Sequence, residues 1–155
     1  MPGTIRYYAC PAEEGGGGKI YLACGGAFDD VDIAVTWHPS DKNRVTVAGK
    51  SCVIANFTFK GKAAHAAATP WNGRCALDAM ELMHVGLQFL REHMTTDCRI
   101  HYSVLNGGGV AANVTHSEAV TQCIVRSMDG EYLNELFGRV CDIAKGAAMM
   151  TGTSF

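Results

Sequence analysis

The sequence predicts an α/β piece followed by an α+β layer: a strand–helix–strand segment with parallel strands, then elements in the order β-α-β-β-α. Three patterns carry this reading. Val31–Trp37 (VDIAVTW) is nearly continuous apolar, as a strand covered on both faces requires. Two long segments repeat apolar residues at intervals of three and four, the period of a one-sided helix. Shorter segments alternate with period two, the signature of a half-buried strand.

Ile5–Cys10 is a β-branched and aromatic run, read as the first strand. PAEEGGGGK breaks it, and Gly17–Phe28 reads as a short helix carrying Ile20, Leu22 and Ala23. With Val31–Trp37 these make a right-handed βαβ unit. PSDKNRVTVAGKS, Pro39–Ser51, is the one marked shift to polar, turn-rich composition, and it divides the chain into parts 1–51 and 52–155. In Val53–Lys60 the residues Val53, Ala55, Phe57 and Phe59 alternate with the intervening set. Leu77, Met80, Met83, Leu87, Leu90 and Met94 form one face of a helix over Arg74–Met94. Ile100, Tyr102 and Val104 alternate in a second strand, and Ala119–Arg126 is a third. Leu133, Leu136, Phe137, Val140, Ile143 and Ala147 mark a second helix over Tyr132–Met149. Both helices then lie on one sheet face, a ferredoxin-like layer without its last strand.

A net charge of −2, with 18% charged residues, leaves no basic footprint for nucleic acid. At 48% hydrophobic residues, disorder is equally excluded. The longest uncharged run, Ile100–Ser117, holds two His, two Asn and three consecutive Gly, so it does not span a bilayer. MPGTIRYYAC has no basic segment followed by an apolar one, so no signal peptide is expected. A soluble cytoplasmic protein without nucleic-acid or membrane partners is the expectation. Seven cysteines without a C-x-x-C pair offer neither a zinc ribbon nor a thioredoxin-type site, and are expected reduced and structural.

Chemistry concentrates at three places. Glu13 and Glu14 are adjacent carboxylates whose mutual repulsion a cation relieves, leaving one to ligate and one to act as a base. The glycines after them let the backbone approach a ligand closely; a phosphate-loop reading fails because Glu13 and Ile20 stand where Gly and Ser or Thr are needed. The alternative is a solvated acidic turn. His38, in Trp37-His38-Pro39, ends the next parallel strand, and the carboxyl ends of such strands share one edge. Two carboxylates and an imidazole suit zinc or a comparable divalent ion; a capping or surface His is the alternative. His65, in GKAAHAA, is uncrowded in a loop, and Asn113 follows the triple glycine; either is a ligand contact or an ordinary loop residue. His84, His93, His101 and His116 carry no partner motif.

PAEEGGGGK, VDIAVTWHP, FKGKAAHAA and GGGVAANV, in this order and spacing, resemble the dinuclear metallopeptidase and amidohydrolase family of aminoacylases and glutamate carboxypeptidases. The four-glycine run, AFDDVD and ALDAMELMHVGLQFLREHM point to its aminobenzoyl-glutamate hydrolase branch. The resemblance covers essentially the whole chain. It implies that residues 1–51 are a piece of a zinc-peptidase-like catalytic domain and 52–155 the lid or dimerisation domain. By the same resemblance Glu13 is the general base, Glu14 and His38 are metal ligands, His65 polarises the scissile carbonyl in the neighbouring subunit's site, and Asn113 holds the substrate. The implied cofactor is a pair of divalent ions, zinc first and manganese second. The implied reaction is hydrolysis of an amide in an N-acyl amino acid or aminobenzoyl-glutamate-like substrate, by a homodimer or with a second hydrolase subunit.

The sequence also departs from the family. Its further metal ligands find no counterpart here, so the resemblance implies an internal piece of a longer hydrolase, inactive alone. After Asn113 the chain reads Val-Thr-His-Ser-Glu where many relatives have Val-Val-Pro-Asp. Two other classes compete: a non-catalytic dimerisation module, which binds no metal, and a ferredoxin-like small-molecule-binding regulator, in which Glu13 and Glu14 are dispensable.

Overall fold

In the computed structural model, residues 3–15, 17–43, 45 and 49–155 are described. Gly16 of the four-glycine run, and Arg44 and Thr46–Ala48 of the polar stretch, lie outside the described residues. The chain separates into two units, Met1–Val45 and Thr46–Phe155.

In the second unit the sequence periods become elements in the expected order: β1 (Ser51–Lys60), α2 (Ala76–Arg91), β2 (Arg99–Asn106), β3 (Glu118–Ser127) and α3 (Gly130–Thr151), with α1 (Gly18–Cys24) in the first unit. The sheet order is β1-β3-β2, antiparallel throughout. As the central strand, β3 has to be covered, and its residues alternate strictly between buried and half-buried except near its end. Phe57 and Phe59 of β1, Ile100 of β2, and Ala119, Cys123 and Val125 of β3 face Met80, Met83 and Leu87 of α2 and Leu136, Val140 and Ala144 of α3. Each large side chain buried there contributes about 1.5–3 kcal/mol. Both helices cover one face of the sheet. Gly86 lets them approach closely, since a Cβ there would stand 2.6 Å from the Ile143 methyl.

The ends of α3 have local causes. Asp129 caps it, accepting from the amides of Glu131 (2.8 Å) and Tyr132 (3.2 Å), and Gly152 ends it at φ 65°. Asp97 ties the α2–β2 turn to the β3–α3 turn by accepting from the Met128 amide at 2.9 Å. That bond holds its carboxyl below the ordinary range. On the free edge of β1, Lys60 and Ser154 exchange backbone bonds of 2.7 and 3.0 Å, so the position of a fourth ferredoxin-like strand is marked by one bridge.

The first unit departs from expectation. Neither Ile5–Cys10 nor Val31–Trp37 is a strand, and neither is covered: Ile5 is 99%, Val35 91% and Trp37 82% exposed. A strand apolar on both faces needs neighbours on each side and layers above and below. The one helix among the described residues of this unit, α1, is seven residues long and contributes no buried side chain. Local order comes instead from polar and aromatic clasps. Arg6 bonds both oxygens of Asp30 at 2.6 and 2.5 Å, the Tyr8 hydroxyl donates to the Ala27 carbonyl at 2.6 Å, and the Tyr8 and Phe28 rings meet edge-on at 4.9 Å.

All seven cysteines are free, and burial pushes the Cys123 thiol up to about 11. Among the described residues no helix is long and apolar enough to cross a membrane.

Candidate active site

Two groups of the residues singled out from the sequence are brought together, one in each unit. In the first, Glu13, Glu14 and His38 each place a ligand atom within 4.8 Å of the others, all three residues being exposed. Strand ends do not assemble them, as the sequence suggests; turns do. Ala12, just before the carboxylates, adopts the left-handed conformation at φ 59°, costly for a residue with a Cβ. Gly17 does the same at φ 58°. Gly18 then passes so close to Pro11 that a Cβ would overlap its carbonyl oxygen, so the turn is specific to glycine.

His38 is oriented by its own neighbour. Its Nδ1 lies 2.8 Å from the Pro39 carbonyl, which only accepts, so Nδ1 carries a proton, and in a neutral ring Nε2 keeps its lone pair. That lone pair faces Glu13 Oε1 at 3.9 Å. Two electron-pair donors facing each other beside a second carboxylate repel unless a cation or proton lies between them. A ring proton donated to a backbone carbonyl is also the usual outer support of a metal-binding histidine. The donor set therefore fits a divalent ion of the zinc type.

In the second unit, His65 and Asn113 meet because the β1–β3 ladder continues irregularly past the sheet. Lys60 pairs with Glu118 and His65 with Val114, so one strand has advanced five residues and the other four. This is a bulge of one residue, a common device for re-aiming a side chain at a sheet end. It begins at Gly61, whose amide donates to the Ser117 carbonyl at 2.8 Å and where a Cβ would overlap the Arg74 carbonyl oxygen. Lys62 and Arg74 close the loop between them with bonds of 2.7 and 2.9 Å, and Ala66 donates to the Asn113 carbonyl at 2.9 Å. Within that loop lies a 3₁₀ turn, Pro70–Asn72, with no counterpart in the sequence reading. The triple glycine serves the facing loop: Gly108 and Gly109 have φ 99° and 127°.

The His65 ring is held by its own loop. The amides of Ala67 and Ala68 both donate to Nδ1 at 3.2 Å. A neutral ring so held carries its proton on Nε2, presenting a donor outward. The other histidines of this unit differ. His84 stacks on Tyr102 at 3.8 Å and pairs with the Thr121 hydroxyl at 2.9 Å, and burial lowers its pKa. Sequence reading misses Thr115, whose hydroxyl joins the two loops; the departure after Asn113 is the available signal.

The second unit is thus an antiparallel sheet with two helices on one face and His65 on its end loops. Residues 47–149 match the peptidase dimerisation domain of the M20 family, and the chain belongs to that family. It is 44% identical over 156 residues to a p-aminobenzoyl-glutamate hydrolase subunit of Escherichia coli (strain K12), covering 98% of this chain and 32% of that protein. It is 37% identical to the Xaa-Arg dipeptidase of Mus musculus, covering 97% of this chain and 35% of the relative. The chain thus spans about a third of the length of these relatives. Among solved structures, an aminobenzoyl-glutamate utilization protein from Klebsiella pneumoniae superposes with TM-score 0.60 and 26% identity, over 68% of this chain and 26% of that one. A hydantoinase/carbamoylase family amidase from Burkholderia ambifaria gives TM-score 0.61 at 17% identity, over 69% and 27%, a likeness of fold alone.

Proposed function

We propose that this chain supplies part of the metal site, the general base and the lid of an enzyme hydrolysing the amide bond of an N-acyl amino acid or aminobenzoyl-glutamate-like substrate. The observation that carries this reading is the gathering of Glu13, Glu14 and His38 into one donor set. The substrate class is supported by the 44% identity to a p-aminobenzoyl-glutamate hydrolase subunit. Residues 1–51 belong in this reading to the catalytic part and 52–155 to the lid.

A divalent ion in this site supplies Lewis acidity and makes a water acidic near neutral pH. Two such ions, zinc or manganese, are the proposed complement, with Glu14 and the Nε2 of His38 as ligands from this chain. Glu13 takes the proton from the attacking water and returns it to the leaving amine. His65 donates from Nε2 to the oxygen on which negative charge develops, a contact strengthened when water is excluded. Asn113 offers its amide to the substrate beside it.

Dimerisation completes the proposal. Among the described residues β2 is an unpaired sheet edge, and beside it α2 exposes Leu82, Val85 and Phe89 on one stripe. Pairing of two lids across this edge covers both and carries His65 to the neighbour's metal site.

Two ligands fall short of the three that a catalytic zinc usually takes from protein, so the 155-residue chain alone is expected to leave N-acyl amino acids intact. In the whole hydrolase, Glu13→Gln lowers kcat at least 10²–10⁴-fold with metal still bound. Unchanged turnover, or metal lost from Glu13→Gln and kept by Glu14→Gln, contradicts the assignment.

A further inference from the structure

We propose that Thr115 is a positioning residue for His65, its hydroxyl fixing the His65 loop to the Asn113 loop as one rigid unit. The inference rests on the reading of His65 as the lid donor and deepens it.

Thr115 stands opposite Ala64, one step along the ladder from the His65–Val114 bridge and on the other side of it from Asn113. Its Oγ accepts from the Ala64 amide at 2.7 Å, immediately before His65. The same oxygen sits 3.1 Å from the Lys62 carbonyl and 3.3 Å from that of Ala64, so its one proton is donated within that pair. Its backbone amide donates to the Ala64 carbonyl at 3.0 Å. One residue thus holds the His65 loop through three hydrogen bonds, made by its hydroxyl and its amide. The third wall of the arrangement is Gly73, buried, where a Cβ would stand 2.6 Å from the Thr115 hydroxyl.

The consequence reaches the imidazole through the backbone. Ala64 and Ala66 flank His65, and both are pinned to the facing loop, the first by the Thr115 hydroxyl and the second by the Asn113 carbonyl. The amides of Ala67 and Ala68 that hold Nδ1 follow directly. Release of Ala64 frees the start of this turn, so the ring loses its fixed tautomer as well as its place.

The test uses the 155-residue chain and reads hydrogen exchange by residue, together with ¹⁵N shifts of the His65 ring. In Thr115→Val the Ala64 amide is expected to exchange at least about tenfold faster, the factor for one lost hydrogen bond, while the Val125 amide in β3 keeps its rate. The ring then shifts from Nε2–H to an average of both tautomers. Thr115→Ser restores slow exchange and the Nε2–H form; Thr115→Ala behaves as Val does and decides the matter if Val perturbs the fold. A His65 ring unchanged in Thr115→Val and Thr115→Ala overturns the proposal, whatever the Ala64 amide does. Failure of the catalytic reading shows elsewhere, as unchanged kcat in His65→Ala of the whole hydrolase.

Discussion

The two candidate groups of this chain are held in place by different means. Glu13, Glu14 and His38 sit on turns, exposed, in a unit whose apolar runs Ile5–Cys10 and Val31–Trp37 are uncovered. His65 and Asn113 sit on loops continuing a ladder whose strands bury Phe59, Cys123 and Val125. One site depends on left-handed residues and a few clasps, the other on a core. The carboxylate group is therefore the part whose geometry a cation, if bound, would have most to fix, and the His65 and Asn113 loops are the part already shaped by the fold.

The largest break in that contrast is Phe59→Ala. Phe59 is fully buried, and its truncation is expected to cost the second unit about 3–5 kcal/mol. Urea unfolding measures it, and the exchange protection of Ala64 and Ala66 should fall with it. Zinc affinity of the Glu13–Glu14–His38 group should not change, because those residues belong to the other unit. A smaller step is Asp129→Ala, which removes the two cap bonds at the start of α3 and should cost about 1 kcal/mol by the same assay.

Acid separates the units more finely. Asp97, held low by the Met128 amide, and Glu118, held low by Lys60, belong to the second unit, and Asp30, held low by Arg6, to the first. A carboxyl lowered on folding adds stability above its unfolded value, about 4, and that stability is lost as pH falls through the folded value. Urea midpoints of the second unit should therefore decline below about pH 4. Asp97→Asn should flatten the decline, and Asp30→Asn should leave it as it was.

The same contrast explains what is legible in the sequence. The stripes Met80–Met83–Leu87 and Leu136–Val140–Ala144 announce α2 and α3 because one face of each is buried by its own unit. An apolar run such as VDIAVTW says only that cover is needed, and nothing described in Met1–Val45 provides it. Sequence reading groups Glu13, Glu14 and His38 on the assumption of a shared strand edge, whereas the grouping comes from the left-handed Ala12 and the close pass of Gly18 beneath Pro11. His65 and Asn113 emerge through resemblance. Their meeting depends on a one-residue slip at Gly61, set by the Arg74 carbonyl thirteen residues on, and pattern reading does not see such non-local contacts. The hydroxyl of Thr115 is visible there only as a departure without a meaning.

The proposal that Glu14 and His38 hold a metal ion, with Glu13 beside them as the base, is tested most directly by zinc titration of the metal-free chain in a calorimeter. Weak, exchangeable binding of one ion is expected. It should persist in Glu13→Gln and disappear in the double variant Glu14→Gln/His38→Gln, whose urea midpoint should match the parent. Equal zinc affinity in the parent and the double variant would contradict the claim.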